Sequence, residues 1–319
     1  EADDESLAGL VKRRLGAEVL AYAIEPFVAG IYAGDPAKLS ARWAFPKLWN
    51  LEQTHGSFLR GALRLRRTGP PQKMMSFRHG MGALPARWAE LLGPDLHCGV
   101  RVEKISREED GWQVTWSHEG ETRSVTVDAV ISTAPAFAAP ELPWTADLRS
   151  SLEFLREIPY PAVTVIALGF RRSDVAHPLD GFGMLVPAAE QRRILGAIFS
   201  SSLFPGRAPR DHVLLTVFVG GARQPRLAEL GDAALEQDVC SDLHDLLGVR
   251  GAPVFRRIVR WPRAIPQYNT GYGAVLARME KIEQEWPGLH LAGNYRGGIA
   301  AGQCIQNGLR LAEQLVTPS

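Results

Sequence analysis

The stretch that decides the fold lies near the C-terminus and has the sequence LHLAGNYRGGIAAGQCIQNG, residues 289–308. Its apolar start predicts a short strand, its glycine-dense middle predicts a loop, and its end begins an amphipathic helix to about Val316. Glycine lets another molecule approach the backbone closely because it has no side chain. The first turn of a helix has unpaired N–H groups and a partial positive charge. The stretch therefore predicts a site for an electron-rich ring edge or a phosphate.

Length and composition describe a globular protein. The chain has 319 residues, of which 45% are hydrophobic and 22% charged, enough for one large domain or two ordinary ones. The net charge of +1 gives no general attraction to nucleic acid. The longest apolar run, residues 162–170, is far shorter than the roughly 20 residues that a membrane-spanning helix needs. Three scattered cysteines fit a reducing compartment and argue against a disulfide scaffold or a zinc site.

Hydrophobic periodicity predicts a mixture of helices and strands. Helices are predicted over residues 4–29, 38–63, 145–157 and 232–247, and an amphipathic helix within 76–93. Strands are predicted over residues 100–105, 112–116, 123–131, 162–170, 183–186, 213–219 and 255–260. Asp4 is expected to cap the first helix and Gly16 to end its first part. Strands mixed with helices at irregular spacing indicate an α/β or mixed α+β fold.

Several ordered motifs together resemble a known family. They are GIYAGDP at 30–36, GFGMLVP at 181–187, residues 200–209, GGAR at 220–223, and Trp261-Pro262 followed by IPQYN at 265–269. With the C-terminal glycine loop, they resemble the oxygen-dependent protoporphyrinogen oxidases, flavoproteins of haem synthesis in the flavin amine oxidase superfamily. The resemblance covers essentially the whole chain, as the C-terminal two thirds of such an enzyme.

The resemblance implies three domains. Residues 1–75 would be a helical membrane-associating domain, 76–140 and 285–319 part of an FAD-binding domain, and 141–284 a substrate domain with a mixed sheet. The family's FAD domain opens with a strand and a GxGxxG turn that binds the pyrophosphate. The nearest strings in this chain, which begin at Gly80 and Gly271, lack the third glycine. We therefore expect a fragment or one half of a split protein, which alone binds FAD poorly and is inactive.

The resemblance also assigns residues to the FAD cofactor. Val102 matches a strand position beside the adenine, and Trp261 matches a position beside the flavin; by pattern alone each residue is more often a core residue. One departure concerns the start of the last helix, where the family has Asn-Asp-Cys and this chain has Gly302-Gln303-Cys304, so that a carboxylate is lost. The flavin-contacting loop, otherwise an ordinary strand-to-helix turn, corresponds to Gly293, Gly297, Gly298, Ile299, Ala300 and Ala301.

A second set of residues is predicted to line a substrate cavity. A tetrapyrrole is a broad, mostly apolar disc that needs flat apolar walls. The alternative for these apolar residues is an ordinary place in the core. The candidates are Gly30, Gly34, Leu168, Met184 and Phe204. The eight histidines show no metal-ligand spacing, and no GxSxG or Cys/His set indicates a nucleophile, so neither a metal site nor a catalytic side chain is predicted.

The function that the resemblance implies is the FAD-dependent oxidation of protoporphyrinogen IX to protoporphyrin IX, with molecular oxygen as acceptor. Two alternatives stay open: oxidation of coproporphyrinogen III, and a non-catalytic subunit that binds a tetrapyrrole or a partner. The expected location is cytoplasmic or peripheral on the inner face of a membrane. A basic run from Arg60 to Lys73 is either a solvated linker or a contact for anionic lipid. The oligomeric state, a homodimer included, is left open.

Overall fold

The protein is described by a computed structural model over residues 4–56 and 75–316. The chain forms two compact units. Of the described residues, the first unit contains 4–56, 158–274 and 294–316, and the second contains 75–157 and 275–293. These units divide the chain at other points than the predicted domains, since residues 141–157 belong with 76–140 and residues 294–316 belong with the first unit. The basic run predicted at Arg60–Lys73 lies outside the described residues.

The described residues form eleven α-helices and ten strands. The helices are α1 Leu7–Leu15, α2 Ala17–Val19, α3 Glu25–Tyr32, α4 Ala41–Ala44, α5 Pro46–His55, α6 Ala83–Leu92, α7 Ala146–Leu152, α8 Ser200–Leu203, α9 Asp232–Leu247, α10 Tyr272–Glu285 and α11 Ala301–Val316. The strands are β1 Arg101–Glu108, β2 Gly111–His118, β3 Glu121–Val127, β4 Val130–Ser132, β5 Val163–Arg171, β6 Gly183–Leu185, β7 Ile194–Ile198, β8 His212–Gly220, β9 Phe255–Trp261 and β10 Leu289–Leu291.

The first predicted helix, over residues 4–29, is a run of successive helical segments. Ser6 caps α1, because its hydroxyl accepts a hydrogen bond from Gly9 N. The prediction of Asp4 as the cap was wrong. Gly16 follows α1 with φ +92°, in the place predicted for the end of that segment. A π-helical turn then joins α2 to α3, so the helical path continues to Tyr32.

The first unit is built around a five-stranded sheet with the order β6-β7-β8-β5-β9. Every neighbouring pair in it is antiparallel. Four of its strands lie within one or two residues of the predicted ranges. β7 was not predicted, because five residues with a central glycine give too short a pattern.

Both faces of this sheet are covered by helices. Side chains on successive residues of a strand point to opposite faces, so alternate residues share a face. Ile166, Leu168 and Phe170 of β5 pack in the cluster that contains the buried side chains of α9. Val163 and Val165 belong to the cluster on the opposite face, with Ala29 and Ala33 of α3 and its end. Because both faces are apolar, β5 shows a continuous apolar run instead of alternation.

The second unit contains a three-stranded antiparallel meander, β1-β2-β3, and a two-stranded parallel pair, β4 and β10. The predicted turn at Asp110-Gly111 joins β1 to β2. Trp112 is fully buried, and its indole N–H donates to Pro287 O at 3.0 Å. The single strand predicted over 123–131 was wrong, since the chain leaves the meander after Val127 and pairs with β10 from Val130.

None of the helices within residues 4–56 and 75–316 combines the length and the hydropathy that crossing a bilayer would require.

An ionic network joins α1 to α5 in the first unit. Glu52 is 5% exposed, and its carboxylate accepts hydrogen bonds from Arg13, at 2.8 Å, and from Arg14. Arg13 also pairs with Glu5 at 2.7 Å. The hydrogen bond from Arg13 is the main reason why the pKa of Glu52 is lowered; burial opposes this effect, and the hydrogen bond from Arg14 adds a smaller lowering.

We expect the substitution Leu168→Ala to lower the free energy of unfolding by about 3–5 kcal/mol, because it leaves a cavity in the core between the sheet and α9. Urea unfolding followed by circular dichroism measures this loss. The control is Leu309→Ala on α11, where the leucine is 61% exposed and the loss should stay below about 0.5 kcal/mol. Equal losses in the two variants would contradict the buried position of Leu168.

We expect the substitution Glu52→Gln to lower the free energy of unfolding by about 1–3 kcal/mol at neutral pH, because a buried charged hydrogen-bond acceptor is replaced by a neutral one. The lowered pKa of Glu52 in the folded state means that its contribution is complete above the ordinary carboxyl pKa of about 4.3 and is lost as the pH falls through the folded value. Urea unfolding at a series of pH values should therefore show that the free energies of unfolding of the wild-type protein and of Glu52→Gln become equal in acid. A difference that is independent of pH would argue against the network.

Candidate functional site

The glycine-dense loop begins where the parallel pair of the second unit ends. After β10, Ala292 N donates to Ser132 O at 2.9 Å and extends the pairing with β4 by one residue. Gly293 follows with φ +144°, a conformation that residues with a Cβ rarely adopt. The predicted strand-to-loop transition therefore lies at Gly293.

Two buried tyrosines hold the first carbonyl groups of the loop. Tyr268 Oη donates to Asn294 O at 2.7 Å, and Tyr272 Oη donates to Tyr295 O at 2.5 Å. Their rings are stacked with centroids 4.4 Å apart. Burial raises the pKa of both hydroxyls, so both remain protonated donors throughout the neutral range.

The middle of the loop fits closely against the first turns of α11. Asn307 Nδ2 donates to Arg296 O at 3.0 Å. Gly297 has φ +74°, and a Cβ added there would lie 2.5 Å from Asn307 Nδ2. Gly298 has φ +125°, and a Cβ there would overlap the side-chain amide of Gln303. Both positions therefore require glycine.

Gln303 closes the start of α11. Its Oε1 accepts a hydrogen bond from Ala300 N at 3.1 Å, and Cys304 N donates to Ala300 O at 3.0 Å. A glutamine at the third helical position that accepts from the preceding backbone N–H is half of a capping box. The carboxylate that the family pattern has here is thus replaced by an amide oxygen, and a backbone hydrogen bond is made.

The loop exposes backbone that can meet a ligand. Gly297, Ala300 and Ala301 are exposed, whereas Gly298 is buried and Ile299 half-buried. The free N–H groups at the start of the sixteen-residue α11 give this end a partial positive charge. This arrangement can accept an electron-rich ring edge without any side chain intervening.

The second unit has an unsatisfied polar atom at the end of its parallel pair. Ser132 is 4% exposed, and its Oγ makes no hydrogen bond to the described residues. In parallel sheets, ligands bind outside the carboxyl ends of the strands, which is where Ser132 lies. A buried hydroxyl without a partner in the protein is a natural contact for a polar ligand atom.

Val102 also belongs to the second unit. It lies in β1, pairs with Trp116 of β2 and is half-buried. The register between β1 and β2 shifts immediately after it, between Val102 and Lys104. Such a bulge leaves backbone groups outside the regular ladder, where another molecule can use them.

An apolar slot lies in the first unit between α3 and the five-stranded sheet. It consists of two cavities of about 570 and 320 Å³ that share Gly30, Leu195 and Phe218 in their walls. The larger one is also lined by Phe27, Ile31, Phe182, Gly183, Met184, Leu185, Gly196, Ala197 and Ile198. The smaller one is also lined by Ala29, Ala33, Val163, Val165, Trp261, Ala264 and Ile265. None of the described residues that line the slot is charged.

Three of the residues predicted for the site line this slot. Gly30 borders both cavities, Met184 borders the larger and Trp261 the smaller. A Cβ added at Gly30 would lie 2.5 Å from Leu185 Cδ2, so the glycine lets α3 come close to β6. Trp261 ends β9 and is 54% exposed, so part of its ring surface is open.

The other three predicted substrate residues lie elsewhere in the first unit. Leu168 is fully buried in the core on the α9 face of the sheet. Gly34 is buried, and a Cβ there would overlap the side chain of Gln267. Phe204 follows α8 and packs with its ring centroid 5.9 Å from the Arg207 guanidinium carbon. None of the three belongs to the walls of the slot.

Sequence reasoning missed most of the remaining slot walls. Phe27 and Ile31 lie four residues apart on α3 and share a face, a spacing that was visible in the sequence. Leu195 and Ile198 belong to β7, which was not predicted. The sequence pattern that could have located these walls is the apolar stripe on α3, together with the small residues Ala29 and Gly30.

The GGAR motif attaches α3 to the sheet. Arg223 Nη1 donates to Glu25 Oε1 at 2.8 Å, in an ion pair whose side chains are each 15% exposed. Ala222 N donates to Ala33 O at 2.7 Å, so one motif binds both ends of α3. A Cβ at Gly221 would lie 2.7 Å from Ala33 O, which explains the second glycine. These contacts fix the distance between α3 and the sheet, and with it the width of the slot.

Within the part of the chain that the structure describes, no group of three or more histidine, cysteine or acidic residues could hold a metal ion.

Comparison with known proteins places this geometry in a family. The sequence model of the family described as flavin containing amine oxidoreductase matches residues 1–316. The chain is 36% identical to mitochondrial protoporphyrinogen oxidase of Nicotiana tabacum, over 98% of this chain and 68% of that protein. It is 29% identical to coproporphyrinogen III oxidase of Bacillus subtilis, over 99% of this chain and 68% of that protein.

The chain covers a smaller share of some other relatives. Chloroplastic protoporphyrinogen oxidase of Nicotiana tabacum is 32% identical, and the chain spans 62% of its length. The chain therefore covers between about three fifths and two thirds of the curated relatives it matches.

Solved structures share the fold. A crystal structure from Exiguobacterium sp. superposes with a TM-score of 0.80 at 24% identity, covering 99% of this chain and 67% of that one. Cyclohexylamine oxidase from Brevibacterium oxydans superposes with a TM-score of 0.62 at 17% identity, covering 99% of this chain and 69% of that one. With the family match over nearly its whole length, the chain belongs to the flavin containing amine oxidoreductases.

Proposed function

We propose that the protein acts in the FAD-dependent oxidation of protoporphyrinogen IX to protoporphyrin IX, with molecular oxygen as acceptor. The observation that carries this proposal is the uncharged slot between α3 and the sheet, with Trp261 at its smaller cavity. Its two cavities together have the size and apolar walls that a large, flat, mostly apolar substrate needs. The relatives named as protoporphyrinogen oxidases, at up to 36% identity, support the same reaction.

The residues present fit a flavin. In the first unit, Gly297 and Gly298 present backbone in conformations that only glycine adopts easily, beside the positive end of α11. In the second unit, Ser132 Oγ is a buried donor with no partner among the described residues. We propose that Trp261 and residues 297–301 of the first unit, and Val102 and Gly293 of the second, bind FAD. When bound, the flavin supplies the acceptor for the hydride equivalents of the porphyrinogen.

The contribution of the protein is position and exclusion of water. The slot walls that the structure describes contain no titratable side chain, so no residue there is assigned a proton-transfer role. Apolar walls remove water from the bound substrate and hold its plane in one orientation, which favours the reaction without a protein base.

The uncharged walls of the slot favour protoporphyrinogen over coproporphyrinogen as the substrate. Protoporphyrinogen has two propionates and two vinyl groups, whereas coproporphyrinogen has four propionates. An unpaired carboxylate in an apolar cavity is costly, and the described walls of the slot offer no cation to pair with it. The vinyl-bearing half of protoporphyrinogen can enter the slot with its propionates outside.

The exposed mouth of the slot supports a peripheral position at a membrane. Phe27, Ile31 and Phe182 line the larger cavity and are 45%, 40% and 51% exposed. Apolar side chains exposed together favour contact with a lipid surface or with another protein. We propose a cytoplasmic protein or one that contacts the inner face of a membrane. The relatives from Nicotiana tabacum are named as mitochondrial and chloroplastic.

The substrate is tested by comparing the two porphyrinogens. The protein purified from its natural gene should be yellow and should consume oxygen while porphyrin fluorescence rises. We expect protoporphyrinogen IX to be oxidised at least about tenfold more efficiently than coproporphyrinogen III, because the slot excludes additional charge. The reverse preference would overturn the substrate assignment. A colourless protein that binds porphyrin without oxidising porphyrinogen would favour the non-catalytic alternative.

The slot itself is tested by the substitution Gly30→Leu. Because Gly30 borders both cavities, a leucine there should fill their junction and lower kcat/KM by about tenfold or more while the bound flavin spectrum is retained. The matched control is Ala23→Leu, an exposed small residue in the same helical run that borders neither cavity. Unchanged turnover in Gly30→Leu would show that substrate does not use the slot.

A further inference from the structure

We infer that Tyr268 is a positioning residue for the flavin: its hydroxyl holds residues 294–298 in the conformation that receives the cofactor. The inference rests on the proposed function, because it assigns a residue that acts on the proposed FAD loop without being part of it. Tyr268 belongs to the IPQYN motif at residues 265–269.

The hydroxyl of Tyr268 makes two hydrogen bonds to the loop. It is the donor in one and the acceptor in the other. It donates to Asn294 O at 2.7 Å and accepts from Gly298 N at 3.0 Å. A tyrosine hydroxyl can do both at once. The two bonds tie together backbone groups four residues apart, and so close the loop on itself.

The loop does not belong to a sheet, so side chains supply hydrogen-bond partners for its backbone groups. Beside the two bonds to Tyr268, Tyr272 binds the carbonyl of Tyr295 and Asn307 binds the carbonyl of Arg296. Each of these other contacts holds one backbone group. Tyr268 holds two, and one of them is the N–H of Gly298, at φ +125°.

The position of the Tyr268 hydroxyl is itself fixed. The side chain is 3% exposed, its ring stacks on Tyr272 at 4.4 Å between centroids, and it meets Tyr32 edge-on at 6.3 Å. Burial raises its pKa, so it stays a donor to Asn294 O. A rigidly held hydroxyl can pre-order a loop and so lower the entropic cost of binding a ligand there.

The test is Tyr268→Phe, which removes the hydroxyl and keeps the ring. Amide hydrogen exchange of the protein without added flavin should become about tenfold faster at Gly298, because its acceptor is lost. The Kd for FAD, measured by quenching of flavin fluorescence on titration, should rise about three- to tenfold, which is the equivalent of one net hydrogen bond. The absorption bands of the bound flavin should shift as the loop loosens.

Two matched variants separate positioning from general stability. Tyr32→Phe removes another buried hydroxyl, bonded to Ala44 O at 2.9 Å and not to the loop, and it should lower the Tm similarly while leaving the Kd unchanged. Tyr272→Phe removes the bond to Tyr295 O only, and it should leave the exchange of Gly298 slow.

The outcomes distinguish this inference from the proposed function. If the wild-type protein binds FAD and Tyr268→Phe binds it equally well, the positioning role of Tyr268 is overturned and the proposed function stands. The positioning role is also overturned if Tyr32→Phe raises the Kd for FAD as much as Tyr268→Phe does. If the wild-type protein purified from its natural gene binds no FAD, the proposed function fails, and this inference fails with it.

Discussion

The close approach of α3 to the five-stranded sheet is the constraint on which the rest of the structure depends. Ala29, Gly30 and Ala33 give α3 a face of small residues, so its backbone can lie near the sheet. The ion pair between Arg223 and Glu25 fixes one end of the helix, and the bond from Ala222 N to Ala33 O fixes the other. Because both ends are fixed, the gap between helix and sheet has a set width and persists as a slot.

The sequence predicted well the features that depend on local backbone chemistry, and less well those that depend on which face of a sheet a side chain occupies. The loop at residues 297 and 298 was predicted because glycine lets a ligand approach the backbone and because the stretch matches the family's flavin-contacting loop; the structure adds that both glycines have positive φ. Helix α9 was predicted over its observed length. Leu168 was assigned to the cavity, although it packs on the α9 face. An apolar run such as residues 162–170 gives no alternation from which to choose a face, and β7 was too short to give a pattern at all.

The two candidate ligand regions use different chemistry. The lining residues that the structure describes offer apolar side chains and no charge, so the slot selects by shape and by exclusion of charged groups. The loop before α11 offers backbone, with its side-chain bonds directed inward to Tyr268, Tyr272 and Asn307. This division fits a flavin enzyme, in which the cofactor performs the redox chemistry and the protein sets geometry and dryness.

The raised pKa values of the loop tyrosines have a consequence for how the protein responds to its surroundings. Tyr268 and Tyr272 keep their protons well into alkaline solution, so the anchoring of residues 294–298 does not vary between a neutral and a mildly alkaline compartment. The acid side is different, because α1 and α5 are joined through the carboxylate of Glu52. Acidification should therefore loosen the N-terminal helices while residues 294–298 keep their conformation, so that partial unfolding of those helices is the expected effect of acid.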